Sequence, residues 1–442
     1  MPVLSSSAES ETCSRMITTQ PYDASDHDSG AWNASIRSCI TSATRLVTKA
    51  TEFADWARSI KLDPVIKTVV PDVAELNPIR DIQVASTTIP SWLKNPDSPE
   101  FGHVFPVLLK WRNIMCSTLQ QSGSRYSPSL GKDEWLYYAV HTILAACHNH
   151  EIIKSCNNGS ERAGRPYLDE LMNRSCYVDS SILMRYSVEW KRTLRLPRPI
   201  STPDIIRVPT VTASGVTFLP IANFRPHDLS PEFRTAVSAF AHEPETSDLM
   251  FIHFVAQYNR MGSSENRMKM AMASALQQKK ILGLQGQFVF GVFQFDSDFL
   301  QVNAGRWMGD EMKIYKIGTY TFKSPASLVE FALAVRKINQ LAEVYRYQLM
   351  EAAPVLQRAV ENKRPVDEWA PMHVAATHDD FERLSESEHS KEPSNSEHSE
   401  GESSDSEHSG ESDMEQGLFP ALSSLGEWDV DDRINIFRQS MR

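Results

Sequence analysis

The sequence is poor in the features that mark several large classes of protein. Among 442 residues there are six cysteines (Cys13, Cys39, Cys116, Cys147, Cys156, Cys176), with no CxxC pair and no dense framework, so neither a zinc ribbon nor a disulfide scaffold is expected. Long hydrophobic runs are missing too. The longest, such as Ile143 to Cys147 and Phe288 to Phe293, fall far short of the ~20 residues that cross a bilayer, and no basic-then-apolar leader precedes them. The expectation is an intracellular protein, nuclear or cytoplasmic, with reduced thiols and no membrane partner. The Asn-x-Ser sequons at Asn33, Asn158 and Asn173 then carry no expectation of glycosylation. The length allows two or three domains, or one large domain with appendages, and a sizeable core.

Positive charge is also scarce: 45 Lys+Arg stand against 56 Asp+Glu, a net of -11. The imbalance is local. Residues Glu382 to Glu415 hold twelve acids and two bases, which leaves a near-neutral remainder. A uniformly basic nucleic-acid binder is excluded, whereas a local basic cleft is not.

Residues 1–31, rich in Ser, Thr and acids, form an expected disordered leader. From Trp32 to Ile60 apolar residues recur at threes and fours, the spacing of an amphipathic helix. Repeated prolines over 62 to 106 then predict an extended or looped connection with short elements. Helices are expected over Val107 to Gln121, Asp133 to His150 and, briefly, Tyr167 to Asn173. Strands are expected over Ile182 to Trp190, Asp204 to Val211, Val216 to Ala222, Leu249 to Tyr258, Phe288 to Phe295, Phe299 to Asn303 and Met312 to Phe322. A helix over Glu265 to Leu282 interrupts them, and Ser324-Pro325 opens a long helix running toward Met350. The expected fold class is α/β, with α+β as the variant: a mixed central sheet flanked by helices over residues 107–362. Residues 363–416 form an acidic, Ser-rich disordered tail, and 417–442 a short apolar segment that either docks or presents a recognition helix.

Four stretches bear on chemistry. Pro203-Asp204 precedes a strand, and Phe251 to Asn259 forms another ending in Gln257-Tyr258-Asn259. Arg267-Met268 opens the next helix, and Phe288 to Val292 forms the strand after it. This order resembles the PD-(D/E)XK nuclease-like domain, in particular members of that group from basidiomycete fungi, over roughly residues 130 to 350. The resemblance implies that an Asp and a Glu hold a divalent metal while a Lys helps generate the attacking hydroxide, sometimes with a helix Glu. Asp204 stands at the Asp position and Glu134 where a helix acid would be sought. Gln257 and Asn259 depart from the Glu-x-Lys pattern, and a site lacking one of two carboxylates holds Mg²⁺ poorly. The separation of Asp204 from Gln257 implies an insertion around Pro231 to His242.

The resulting expectation is a nuclease-like domain without nuclease chemistry, a pseudoenzyme needing no cofactor and serving as an interaction or nucleic-acid-associated module. Two alternatives stay open. One is an active Mg²⁺-dependent nuclease using Asp204 with another acid, Glu134 or Asp248. The other is a structural binding protein that works through its acidic tail. For Asp204 taken alone, an ordinary strand-start turn is an equally good account.

Arg185, Lys191, Arg192, Arg195 and Arg198, interleaved with Tyr186 and Trp190, are the candidate nucleic-acid contacts, against the plainer account of a solvated amphipathic stretch. His148 and His150, two residues apart on a helix, read as surface histidines rather than a metal pair. Cys147 reads as a buried structural thiol, the Met268, Met270 and Met272 group as core filling, and Lys279-Lys280 as a helix-end pair. In the tail, Ser-Glu-His-Ser recurs at 387–390, 396–399 and 406–409. Ser385, Ser394, Ser399, Ser404 and Ser412 each have an acid three residues on, the arrangement acidophilic Ser/Thr kinases favour. Each phosphate would add about -1.5 to -2 charges and strengthen attraction to a basic protein partner. The plainer account is a solubilising linker. Oligomeric state is left open by the sequence.

Overall fold

The computed structural model describes residues 42–129, 134–155, 167, 169–174, 187–200, 208–221, 231–242, 248–258, 263–361 and 369–370. Its centre is a six-stranded mixed sheet in chain order, β3 (Ser187–Arg195), β4 (Thr210–Ile221), β5 (Leu249–Gln257), β6 (Val289–Phe295), β7 (Phe299–Met308) and β8 (Glu311–Thr321). Strands β3, β4 and β5 form one antiparallel meander, and β6, β7 and β8 a second. The two join where β5 and β6 run parallel, a pairing that requires a crossover, supplied by helix α7 (Ser264–Ile281). All nine residues of β5 are buried, which accounts for its unbroken apolar run.

Helices cover both faces. One carries α1 (Ala43–Val47), α2 (Ala50–Ser59) and α7, in a core with Phe53, Trp56, Ile252, Val255, Met272 and Ile314. The other carries α3 (Asn77–Ser86), α4 (Leu109–Gln121), α5 (Glu134–Ser155) and α8 (Pro325–Glu361), packed on Phe251, Phe254, Phe290, Val302 and Ile317. The remaining named helix, α6 (Pro231–Val237), lies between β4 and β5 in the chain, and β1 (Thr88–Pro90) pairs in parallel with β2 (Ser127–Ser129) outside the main sheet. Among the described residues no helix is long and apolar enough to cross a membrane. The α/β class and the mixed, helix-flanked sheet are as expected.

Several elements differ in extent. The helix expected over Trp32 to Ile60 is broken at Thr48 and Lys49 into α1 and α2, while its first residues lie outside the described set. The proline-rich stretch is folded into the body. Pro78 sits in the first turn of α3, and Pro99 and Pro106 open 3-10 turns, positions where the missing N–H leaves no bond unmade. Leu76, Ile79, Ile82, Leu93 and Phe101 from this stretch are core residues. Thr210–Ile221 form one unbroken strand, β4, across the break expected between Val211 and Val216, while residues 204–207 of the first expected strand lie outside the described set. Gly215 makes no turn there; a Cβ on it would lie 2.5 Å from Cζ3 of Trp190, so glycine lets that indole lie across the strand. Gly291 plays the same part for α7, since its Cβ would come within 2.6 Å of the Met268 and Met272 sulfurs.

Both sheet edges are covered over part of their length from within the chain. Met312 N donates to Lys61 O (2.7 Å), Lys67 N to Ile314 O (2.8 Å) and Lys316 N to Lys67 O (2.9 Å), which covers β8. Arg195 N donates to Ala239 O (2.8 Å) and Ala241 N to Thr193 O (3.0 Å), which covers β3. Over these stretches the edges offer no template for strand addition.

Candidate functional site at the end of strand β5

Strand β5 carries a bulge. Thr217 of β4 pairs with Phe254 and Phe218 with Ile252, which leaves His253 unpaired and reverses the alternation of side chains beyond it. His253 and Phe254 therefore both lie on the α8 side, where His253 meets the Phe290 ring at 5.2 Å and the Tyr345 ring at 5.7 Å. Past the bulge Val255 turns to the α7 face and Ala256 to the α8 face, and Gln257 ends the strand buried against β4.

The Gln257 amide is engaged at both ends. Its Nε2 donates to Thr212 O (2.9 Å), and its Oε1 accepts from Ser214 Oγ (3.0 Å), which in turn accepts from Tyr258 N (3.3 Å). A carboxylate could not make the first of these bonds. Of the other motif residues, Asp204 and Asn259 lie outside the described residues. Asp248 stands just before β5, nine residues and so roughly 30 Å along the strand from Gln257. Asp248 and the Gln257 position therefore cannot share a metal. Glu134 opens α5. Among the described residues no three His, Cys, Asp or Glu side chains converge, so those present do not fit a Mg²⁺ centre and no step through a metal follows.

The basic group is divided. Arg185 is outside the described residues. Lys191 is exposed, with φ of 55°, and Arg198 is exposed beyond the end of β3. Arg195 is turned inward: Nη1 donates to Thr235 O (2.8 Å) and Ser238 O (3.3 Å), and the guanidinium lies over the Trp369 ring at 5.1 Å. It helps close the β3 edge instead of facing solvent. The group sits on a strand, where side chains alternate, so it presents no single basic face. The five tail serines lie outside the described residues.

Three interior constellations were not anticipated. Lys279, expected as half of a helix-end pair, stands in the last turn of α7 and is fully buried there. Its Nζ donates to Phe288 O (2.7 Å) and Gln287 Oε1 (3.3 Å) and lies 4.7 Å from the Phe251 ring and 4.5 Å from the Tyr345 ring. Burial holds its pKa well below the usual lysine value. Lys280, its neighbour, rides over Trp307 at the surface side of the same turn. The second is His253, whose Nε2 shares a 2.8 Å bond with Ile338 O while Nδ1 has no partner. Burial, and then the nearness of Lys279, pushes its pKa down to about 3. A lone histidine within an apolar strand was the one visible signal; for Lys279 there was none.

The third lies at the β6–β7 turn. His150 is half-buried: its Nε2 bonds Asp298 Oδ1 at 2.9 Å, and its ring stacks on Phe322. Lys154 and Lys323 bond the same carboxylate. Burial alone would raise the Asp298 pKa, but these three donors hold it well below the usual carboxylate range. Cys147 and the three methionines are buried, as expected. No protein-family model, curated protein or solved structure matches the chain.

Proposed function

We propose that this chain is a non-catalytic, nuclease-like α/β domain that serves as an interaction or nucleic-acid-associated module, with an acidic tail open to phosphorylation. One observation carries the reading. At the end of β5, where the PD-(D/E)XK resemblance implies a metal-holding carboxylate, Gln257 spends its amide on Thr212 and Ser214. The order of antiparallel meander, helix and parallel strand supports the resemblance. On this reading Lys191 and Arg198 supply the accessible cations for a phosphate backbone, and the tail serines tune attraction to a basic protein.

Incubation of the full chain with single- and double-stranded DNA and RNA in Mg²⁺ or Mn²⁺ tests it. The expected result is no cleavage above that of an Asp204→Ala variant, together with retention on nucleic acid that falls steeply as salt rises. Metal-dependent cleavage that disappears in Asp204→Ala would overturn the non-catalytic reading. Absence of retention at low salt would overturn the nucleic-acid part.

A further inference from the structure

Helix α8 continues for 37 residues, and its solvent side carries a pattern that its own fold does not use. Lys337, Val344 and Glu351 are spaced by seven, so they share one face of the helix and span about 21 Å at 1.5 Å per residue. Val344 is 49% exposed, and Tyr347 and Met350 beside it are 63% and 46% exposed. Among the described residues neither Lys337 nor Glu351 makes an ion pair. Toward the start of the helix, Lys337 lines a groove of about 480 Å³ between α3 and α8, together with Asp81, Val84, Ala85, Leu333 and Arg336; Val84 is 63% exposed.

We propose that this face binds a second copy of the chain, α8 against α8 in antiparallel fashion about a two-fold axis through Val344. The charges decide the direction. Lys337 and Glu351 lie seven residues on either side of Val344, so antiparallel pairing sets each Lys337 against Glu351 of the partner subunit, twice over. Parallel pairing would set lysine on lysine and glutamate on glutamate. Two-fold contacts require such self-complementarity, in which residue i meets j and j meets i. At the axis Val344 meets itself, with the two Tyr347 rings covering it from water. The groove beside Lys337 then receives the helix of the partner subunit just beyond its Glu351. This contact is independent of the nuclease-like reading.

Sedimentation of the full chain at micromolar concentration is the test. A dimer is expected. Lys337→Glu and Glu351→Lys should each weaken it by roughly tenfold or more, because each creates two like-charged contacts. The double variant K337E/E351K restores both opposite-charge pairs and should recover the dimer. That rescue would not follow if either single change merely damaged the fold, and unchanged circular dichroism of the singles checks the same point. Val344→Cys should oxidise to a covalent dimer that wild type does not form. A monomer across the concentration range, or a dimer indifferent to both charge reversals, would overturn the proposal.

Discussion

His253 makes the acid limit of this fold open to measurement. Because Nε2 faces the Ile338 carbonyl, it carries the proton, and Nδ1 keeps a lone pair that no donor meets. The buried species is the neutral ring, with a pKa near 3 in the fold against 6.5 for a free histidine. A depressed histidine stabilises fully above its unfolded pKa, and that stability drains away as pH falls from 6.5 toward the folded value, since only the unfolded chain takes the proton. Each pH unit in this window is worth about 1.4 kcal/mol. From pH 7.5 to pH 4.5 the loss comes to about 3 kcal/mol. His253→Phe places a ring of similar shape between Phe290 and Tyr345 and does not titrate. It loses the bond to Ile338 O, a pH-independent cost of about 1 kcal/mol. Urea unfolding of both proteins over this range gives the difference in stability, in which the carboxylates common to both cancel. Wild type should lead at pH 7.5 and fall behind by pH 4.5. A difference that stays constant to within about 0.5 kcal/mol would refute the assignment of a neutral buried ring.

The same reasoning applied to Lys279 sets an alkaline window. The pKa of Lys279 is lowered by burial, so wild type should lose stability relative to Lys279→Met as pH falls below the unfolded lysine value, by about 1.4 kcal/mol per unit while the folded amine stays neutral; parallel unfolding curves from pH 10 to pH 8 would contradict this. Gln257→Glu removes the donor to Thr212 O and sets a buried carboxylate against that carbonyl. A loss of about 2–3 kcal/mol by chemical unfolding is expected, with no gain of metal-dependent cleavage. Asp298→Asn strands Lys154 and Lys323 around a neutral amide. Since both lysines are partly exposed, the expected loss at neutral pH is about 1–2 kcal/mol; it shrinks as pH falls below the ordinary carboxylate value, because the unfolded chain takes a proton that folded Asp298 does not. Gly215→Val drives a side chain into the Trp190 indole and should lower the thermal midpoint, with tryptophan fluorescence shifted toward that of exposed indole.

Much of the fold was legible where local pattern and burial coincide. The apolar run of β5, the helical spacing of α7 and the Ser324-Pro325 start of α8 matched the structure to within a residue or two, because each element's own side chains decide its period. Ser324 Oγ accepts from Ser327 N at 3.4 Å, as a capping serine does. Reading failed where a residue's role depends on a distant element. The break expected between Val211 and Val216 is absent, because Gly215 makes room for Trp190, 25 residues earlier and invisible to a local window. The prolines of 62 to 106 looked like interruptions, although several stand where proline is compatible with helical turns.

For the candidate site the division is sharper. The neutral residue at the end of β5 is plain from the sequence: Gln257 stands where the PD-(D/E)XK resemblance implies a carboxylate. What Gln257 does instead depends on β4 lying alongside, which supplies Thr212 O and Ser214 Oγ. The basic stretch before residue 200 was also visible, but Arg195 was drawn inward by backbone carbonyls 40 and 43 residues away and by Trp369. The sequence by itself determined the period of its helices and strands, their alternation along the chain and the concentration of negative charge in one tract, all of them properties of neighbouring residues. Only the tertiary structure decided that Lys279 and His253 are interior groups and that His150 belongs to an ion cluster with Asp298. Burial and charge pairing are set by which elements meet in space, and a lysine followed by a lysine at a helix end looks the same whether water or two aromatic rings surround it.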